Sequence, residues 1–154
     1  MKKMDKSIFI VEDEEALRNL LMMFFGRMGY SVATASNGIE ALDKIRKIKP
    51  DIILMDNHMP EMNGLDVLRS LKNSDAKRVI MMSSDDHIFS ESIRLGAADF
   101  VYKPFNLRFM ENVVLMHLKN LKRSGRRKDA GFYHAVPPPP EPGITFRMRS
   151  SARL

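Results

Sequence analysis

Three carboxylates stand where short apolar runs stop. Ser7-Ile8-Phe9-Ile10-Val11 is followed at once by Glu12-Asp13, and Asp51-Ile52-Ile53-Leu54-Met55 ends in Asp56. A later run, Asp99-Phe100-Val101-Tyr102, is closed by Lys103-Pro104. Both acid-ended runs are apolar on both faces and rich in β-branched residues, the pattern of strands buried in a parallel sheet. Acids at the carboxyl ends of neighbouring parallel strands converge in the crevice where open α/β sheets bind ligands. Like charges gathered there raise one another's pKa or demand a cation. Oxygen-only ligands favour Mg2+ or another hard ion over zinc.

The elements that must position these groups alternate strand and helix five times between Lys6 and Leu121. Leu17, Leu20, Leu21, Phe24, Phe25 and Met28 recur at the 3.6-residue period of one helix face, and Gly29 stops that helix. Tyr30 to Ala35 reads as the second strand. Asn37-Gly38-Ile39-Glu40 resembles a capping box opening a helix that ends before Pro50. The third helix is expected over Gly64 to Leu71, and the fourth strand over Arg78 to Met82, ending at Ser83-Ser84. The fourth helix is expected over Asp86 to Leu95, before Gly96. Asn106 caps a fifth helix carrying Leu107, Met110, Val114, Leu118 and Leu121. Five such units imply an α/β, doubly wound, flavodoxin-like fold: a five-stranded parallel sheet covered by five helices. A strand order of 2-1-3-4-5 follows from that fold class rather than from periodicity, and it sets Asp13 and Asp56 on either side of the switch point.

The 154 residues fit one domain, 5–121, and a tail, 122–154. The net charge of +6 is unevenly shared. Residues 1–118 hold 16 basic and 17 acidic side chains, whereas residues 119–154 hold 9 and 2. Nucleic acid or an acidic membrane surface is therefore a partner only for the tail. The tail has a basic run from Lys122 to Lys128 and four prolines from Pro137 to Pro140, and reads as disordered. There is no cysteine, which removes disulfides, thiolate metal sites and cysteine nucleophiles. The apolar run behind the basic N-terminus is too short for a signal peptide or a membrane span, so a cytoplasmic protein is expected.

With Glu12-Asp13, Asp56 followed by Met59-Pro60 and Gly64, Ser83 closing strand four, and Lys103-Pro104-Phe105, the chain resembles the receiver domain of two-component response regulators, of chemotaxis-regulator type. The resemblance covers about residues 5–121. It implies that Asp56 is the phosphoacceptor, its carboxylate oxygen attacking the phosphorus of a phosphohistidine. It implies Mg2+ held by Asp13 and Asp56, by Glu12 through a water, and by the backbone carbonyl of His58. Lys103 and the Ser83 hydroxyl would each meet a phosphoryl oxygen, with backbone N–H groups near Asn57 and Ser84 assisting. The switch it implies couples Ser83 to Phe100, the aromatic three residues before the lysine, and changes the face of helix four, strand five and helix five. A cis peptide before Pro104 belongs to the same pattern. The implied partners are a histidine kinase or phosphotransfer protein and a downstream protein. No external substrate is turned over, so the chain is not an enzyme beyond its own phosphorylation and dephosphorylation.

Each residue also has an ordinary reading. Asp13 caps helices well, Glu14-Glu15 complement a helix dipole, Asp56 forms turns, and Lys103 is a residue type usually solvated. The methionines, Met22-Met23 and Met81-Met82 among them, read as core filler, and His58, His87, His117 and His134 as surface or loop residues. Rival functions are a receiver fold used as a docking module with an idle pocket, a regulator touching nucleic acid through its tail, and a Mg2+-dependent phosphatase. The last lacks a second catalytic acid two residues after Asp56, where His58 stands.

Overall fold

The computed structural model describes residues 5–123. Five parallel strands, β1 (Ser7–Val11), β2 (Ser31–Ala35), β3 (Ile52–Asp56), β4 (Val79–Ser83) and β5 (Asp99–Tyr102), form one sheet in the order β2-β1-β3-β4-β5. This is the doubly wound, flavodoxin-like arrangement the alternation implies. The helices are α1 (Glu15–Arg27), α2 (Gly38–Ile48), α3 (Gly64–Ser70), α4 (Asn73–Ala76), α5 (Phe89–Arg94) and α6 (Leu107–Arg123). Six α-helices are thus described rather than five. The extra one is a single turn, α4, held by Asp75 and Ala76 N–H bonds to the Lys72 carbonyl and too short to show a period. The expected fourth helix is a 3-10 turn, Asp86–Ile88, running into α5; the expected fifth is α6. The tail beyond Arg123 and its His134 lie outside the described residues.

Strand side chains alternate between two cores. Phe9, Val11, Ile53, Met55, Val79, Met81 and Phe100 face one layer, with Ala41 and Ile45 of α2 and Val67 and Leu68 of α3. Ile8, Ile10, Ile52, Leu54, Ile80, Met82 and Val101 face the other, with Leu21 and Phe25 of α1 and Met110, Val113, Val114 and Leu118 of α6. Burial on both faces is why these strands read as unbroken apolar runs.

The helix ends are set by local polar chemistry. Asn37 accepts the Glu40 N–H at 2.9 Å at the start of α2, while Glu40 reaches back to the N–H of Ser36 rather than Asn37. Asn63 accepts the Asp66 N–H at 2.9 Å at the start of α3, and Asn106 accepts the Phe109 N–H at 2.7 Å at the start of α6. Two expectations for α1 fail. Leu20 is 49% exposed, and Met22 and Met23 also face outward rather than filling the core. The six apolar positions span a wider arc than one sheet contact covers, and Leu21 and Phe25 alone are fully buried there.

Candidate functional site

Register places the acids. Val11 pairs with Met55, so Glu12 and Asp56 fall side by side one residue further along. Glu12 still donates its backbone N–H to the Ala35 carbonyl, then the chain turns into α1. Arg18, one turn into that helix, ties the corner down with bonds to the carbonyls of Glu12 at 2.9 Å and Asp13 at 3.2 Å. It is Glu12, not Asp13, whose side chain receives an N–H at the helix entrance, that of Glu14 at 3.2 Å. Asp13 is thereby left free of capping and faces solvent.

On the other strand, the loop after Asp56 is drawn back against α3. Asn57 accepts the Leu65 N–H with its side chain at 3.1 Å and the Gly64 N–H with its carbonyl at 3.0 Å. Gly64 is required by this approach: a Cβ there would lie 2.4 Å from the Asp56 carbonyl oxygen. The Asn57 N–H, expected near an incoming anion, is instead donated to the Met82 carbonyl at 3.2 Å.

Lys103 enters from β5. Its backbone N–H bonds the Ser83 carbonyl at 2.9 Å, and its peptide bond to Pro104 is cis. The ammonium bridges Glu12 Oε2 at 2.7 Å and Asp56 Oδ1 at 2.9 Å. Glu12 and Asp56 are 1% and 2% exposed, so these are bonds made away from bulk water. Burial raises the pKa of both acids; Lys103 opposes the rise, while Asp56 adds to it at Glu12 and Asp13 adds to it at Asp56. Burial works against the Lys103 charge, but its two acidic partners outweigh that and hold its pKa up.

Carboxylate oxygens of Glu12, Asp13 and Asp56 lie within 4.8 Å of one another. They open on a cleft of about 390 Å³, lined also by Glu14, His58, Ser84 and Lys103. Three acids against one ammonium leave a surplus of negative charge, and an all-oxygen donor set of this kind fits a hard divalent ion.

The expected residues thus divide. Glu12, Asp13, Asp56, His58 and Lys103 meet at one cleft. Ser84 lines it, whereas Ser83 is 1% exposed and its hydroxyl oxygen accepts the Asp85 N–H at 3.1 Å. Phe100 lies deeper, fully buried, edge-on to Phe89 at 5.6 Å and Tyr102 at 4.9 Å. His117 is not the surface residue expected. Its Nε2 lies 2.7 Å from Oδ2 of Asp99, which is fully buried and also accepts the Phe100 N–H at 2.8 Å. The signal available was an acid opening an otherwise apolar strand. Nothing in the spacing pointed to its partner 18 residues on. Arg69 and Glu91, 2.5 Å apart, join α3 to α5 in the same unforeseeable way.

A five-stranded parallel sheet of this order, with acids and a lysine at its carboxyl edge, defines an open, doubly wound α/β domain with a charged cleft at its strand ends. The family model described as "Response regulator receiver domain" matches residues 8–115, and the chain belongs to that family. It is 40% identical over 106 residues to the Chemotaxis protein CheY of Thermotoga maritima, covering 66% of this chain and 88% of that one. It is 36% identical over 118 residues to Sporulation initiation phosphotransferase F of Bacillus subtilis, covering 75% and 95%. A longer relative, the Alkaline phosphatase synthesis transcriptional regulatory protein PhoP of Bacillus subtilis, is matched at 38% identity over 45% of its length. Among solved structures, the CheY-like receiver domain protein of Methanospirillum hungatei superposes with TM-score 0.74 at 25% identity, covering 78% of this chain and 98% of that one. The receiver domain of the LuxO repressor protein of Vibrio parahaemolyticus gives 0.72 at 28%, covering 79% and 96%. Among the described residues no helix is long and apolar enough to cross a membrane.

Proposed function

We infer that the domain over residues 5–121 is a phosphorelay receiver whose acceptor is Asp56. The observation that carries this is the Lys103 ammonium seated between Glu12 and Asp56 in a buried, acid-rich cleft. Asp56 presents a carboxylate oxygen as the nucleophile toward the phosphorus of a phosphohistidine; the imidazole leaves and an acyl phosphate forms. Lys103 is within reach of the acceptor, so one of its N–H groups can turn to a phosphoryl oxygen. Charge on the transferred group spreads over its oxygens, and positioned donors supply most of the catalysis. Asp13 and Asp56, with Glu12 through a water and the His58 carbonyl, would hold Mg2+. Bound there, Mg2+ would neutralise acid and phosphoryl charge together. Ser83 or its neighbour Ser84 supplies the hydroxyl for a further oxygen.

The protein turns over no separate substrate; it takes phosphate from a histidine kinase or phosphotransfer protein in the cytoplasm. It answers through the face made by α5, β5 and α6, where a downstream protein docks. Incubation with Mg2+ and a small phosphodonor such as acetyl phosphate should add one acid-labile phosphate per chain, mapped by mass spectrometry to Asp56. An Asp56→Asn variant that labels equally removes Asp56 as the acceptor.

A further inference from the structure

We propose that the outward side of α1 is a docking site for the chain's own tail, and that its occupant is the segment Ala130 to Val136. This does not depend on phosphate at Asp56. α1 is apolar nearly all round. Leu21 and Phe25 are buried against the sheet, yet the opposite side carries Leu20, Met22 and Met23, which are 49%, 38% and 52% exposed. Ala16, Asn19 and Gly26 are exposed with them. The charges of that side stand at its two ends, Glu15 in the first turn and Arg27 in the last. Arg18, the other charge of the helix, is turned back to the carbonyls of Glu12 and Asp13. A helix apolar on every side is ordinarily covered on every side. Gly26 leaves a bare spot, since a Cβ there would meet nothing within 4 Å, and another backbone can lie close against it. The remaining large apolar residues that are exposed, Ile39 and Ile48, stand at opposite ends of α2 and form no such patch.

The point where the chain leaves the described structure selects the occupant. α1 and α6 cover the same layer of the sheet, and each follows a strand of a parallel sheet, so both run toward its amino edge. α6 is described to Arg123, and residues 124–154 follow it. From Arg123 to Phe132 the chain extends up to about 30 Å. Neighbouring helices lie about 10 Å apart, and Met23 is about 6 Å along the axis from Arg27 at the end of α1. The tail therefore reaches this side of α1 with length to spare. Lys and Arg dominate the tail, but Ala130 to Pro140 holds neither, and no Asp or Glu. Within that stretch Phe132, Tyr133 and Val136 supply apolar area to set against Leu20, Met22 and Met23. A second copy fits less well. Three partly exposed side chains offer roughly a few hundred Å², short of the about 800 Å² a side in a standard interface. A segment tethered this closely meets α1 at an effective concentration of about millimolar. Docked there, the tail hides this side of α1 from other proteins and uncovers it on release.

The chain has no cysteine, so Ala135→Cys in the full chain takes a single nitroxide label. With isotope-labelled methionine methyls, the Met22 and Met23 resonances, assigned by single Met→Leu variants, should lose most of their intensity and regain it when the nitroxide is reduced. Met59 and Met81, buried in the opposite layer, should keep theirs. The loss should not change on dilution, and Phe132→Ser together with Tyr133→Ser should abolish it. Without any nitroxide, the same double variant should shift the Met22 and Met23 methyls of the full chain and leave Met59 and Met81 in place. Met22 and Met23 that keep their intensity and also ignore the double variant overturn the proposal. So does broadening that survives the double variant. Broadening found only between nitroxide-bearing and isotope-labelled chains in a mixture makes a second copy the occupant and overturns it equally.

Discussion

Replacing Lys103 with methionine keeps the bulk of the side chain and removes the ammonium that touches both Glu12 and Asp56. Removing one partner of a buried ion pair ordinarily costs about 3–5 kcal/mol, because the charge left behind is uncompensated. Here a proton can take the place of the lysine. The ordinary glutamate value at Glu12 is 4.5, and holding a carboxyl protonated costs about 1.4 kcal/mol per pH unit above its pKa. Uptake of one proton therefore caps the loss at about 3.4 kcal/mol at pH 7 and about 1.4 kcal/mol at pH 5.5. The direction follows from the acids. Burial raises both pKa values in the folded protein, and the substitution raises them further. Stability from such a group is complete below its unfolded pKa and is lost as pH rises through its folded pKa. Urea melts of Lys103→Met and the parent should therefore diverge from pH 5 upward, by about one proton's worth, or about 1.4 kcal/mol per unit. A difference that stays flat between pH 5.5 and 7.5, or falls below about 1 kcal/mol at pH 7, would refute the view that the ammonium compensates buried charge.

Three further outcomes are expected. Mg2+ should raise stability, by about 2.7 kcal/mol at a hundred times its dissociation constant. Asp13 is exposed, so Asp13→Asn should remove this gain in thermal melts while shifting the metal-free value by no more than about 0.5 kcal/mol. Gly64→Ala sets a methyl 2.4 Å from the Asp56 carbonyl oxygen; overpacking of this kind costs about 1–3 kcal/mol, and acetyl-phosphate labelling of the displaced Asp56 should slow with it. Asn37→Ala removes the side chain that accepts the Glu40 N–H and should cost about 1 kcal/mol in urea melts with labelling of Asp56 unchanged.

The buried strands were legible because both faces are covered: Phe9-Ile10-Val11 and Ile53-Leu54-Met55 have no polar position to blur the run. The acids were legible because register carries them to one edge, and a strand end is a position that sequence reveals. The capping asparagines at 37 and 106 showed themselves by residue type. What stayed hidden depended on distance in the chain or on exposure. His117 meets Asp99 only after α6 has folded back over β5, and helical period alone does not say which histidine lands on which acid. Leu20 and Met23 carry the right residue types at helical spacing yet face solvent, since hydrophobicity marks a candidate core position without measuring the arc the sheet can cover. The choice between Ser83 and Ser84 was one of position. In the folded chain one is buried and serves the turn to Asp85, and the other lines the cleft.

The alternation of the strands also sorts the side chains at the sheet's carboxyl edge. Asp56 continues the parity of Ile52 and Leu54, which belong to the layer of α1 and α6, whereas Ser83 continues that of Val79 and Met81, which belong to the layer of α2, α3 and α5. The rim of the sheet is thus a boundary between two hemispheres, with the Asp56 carboxylate issuing from one and the Ser83 hydroxyl from the other. The face proposed to dock a downstream protein, α5, β5 and α6, draws one helix from each hemisphere, so refitting it to a different listener reaches both layers of the core.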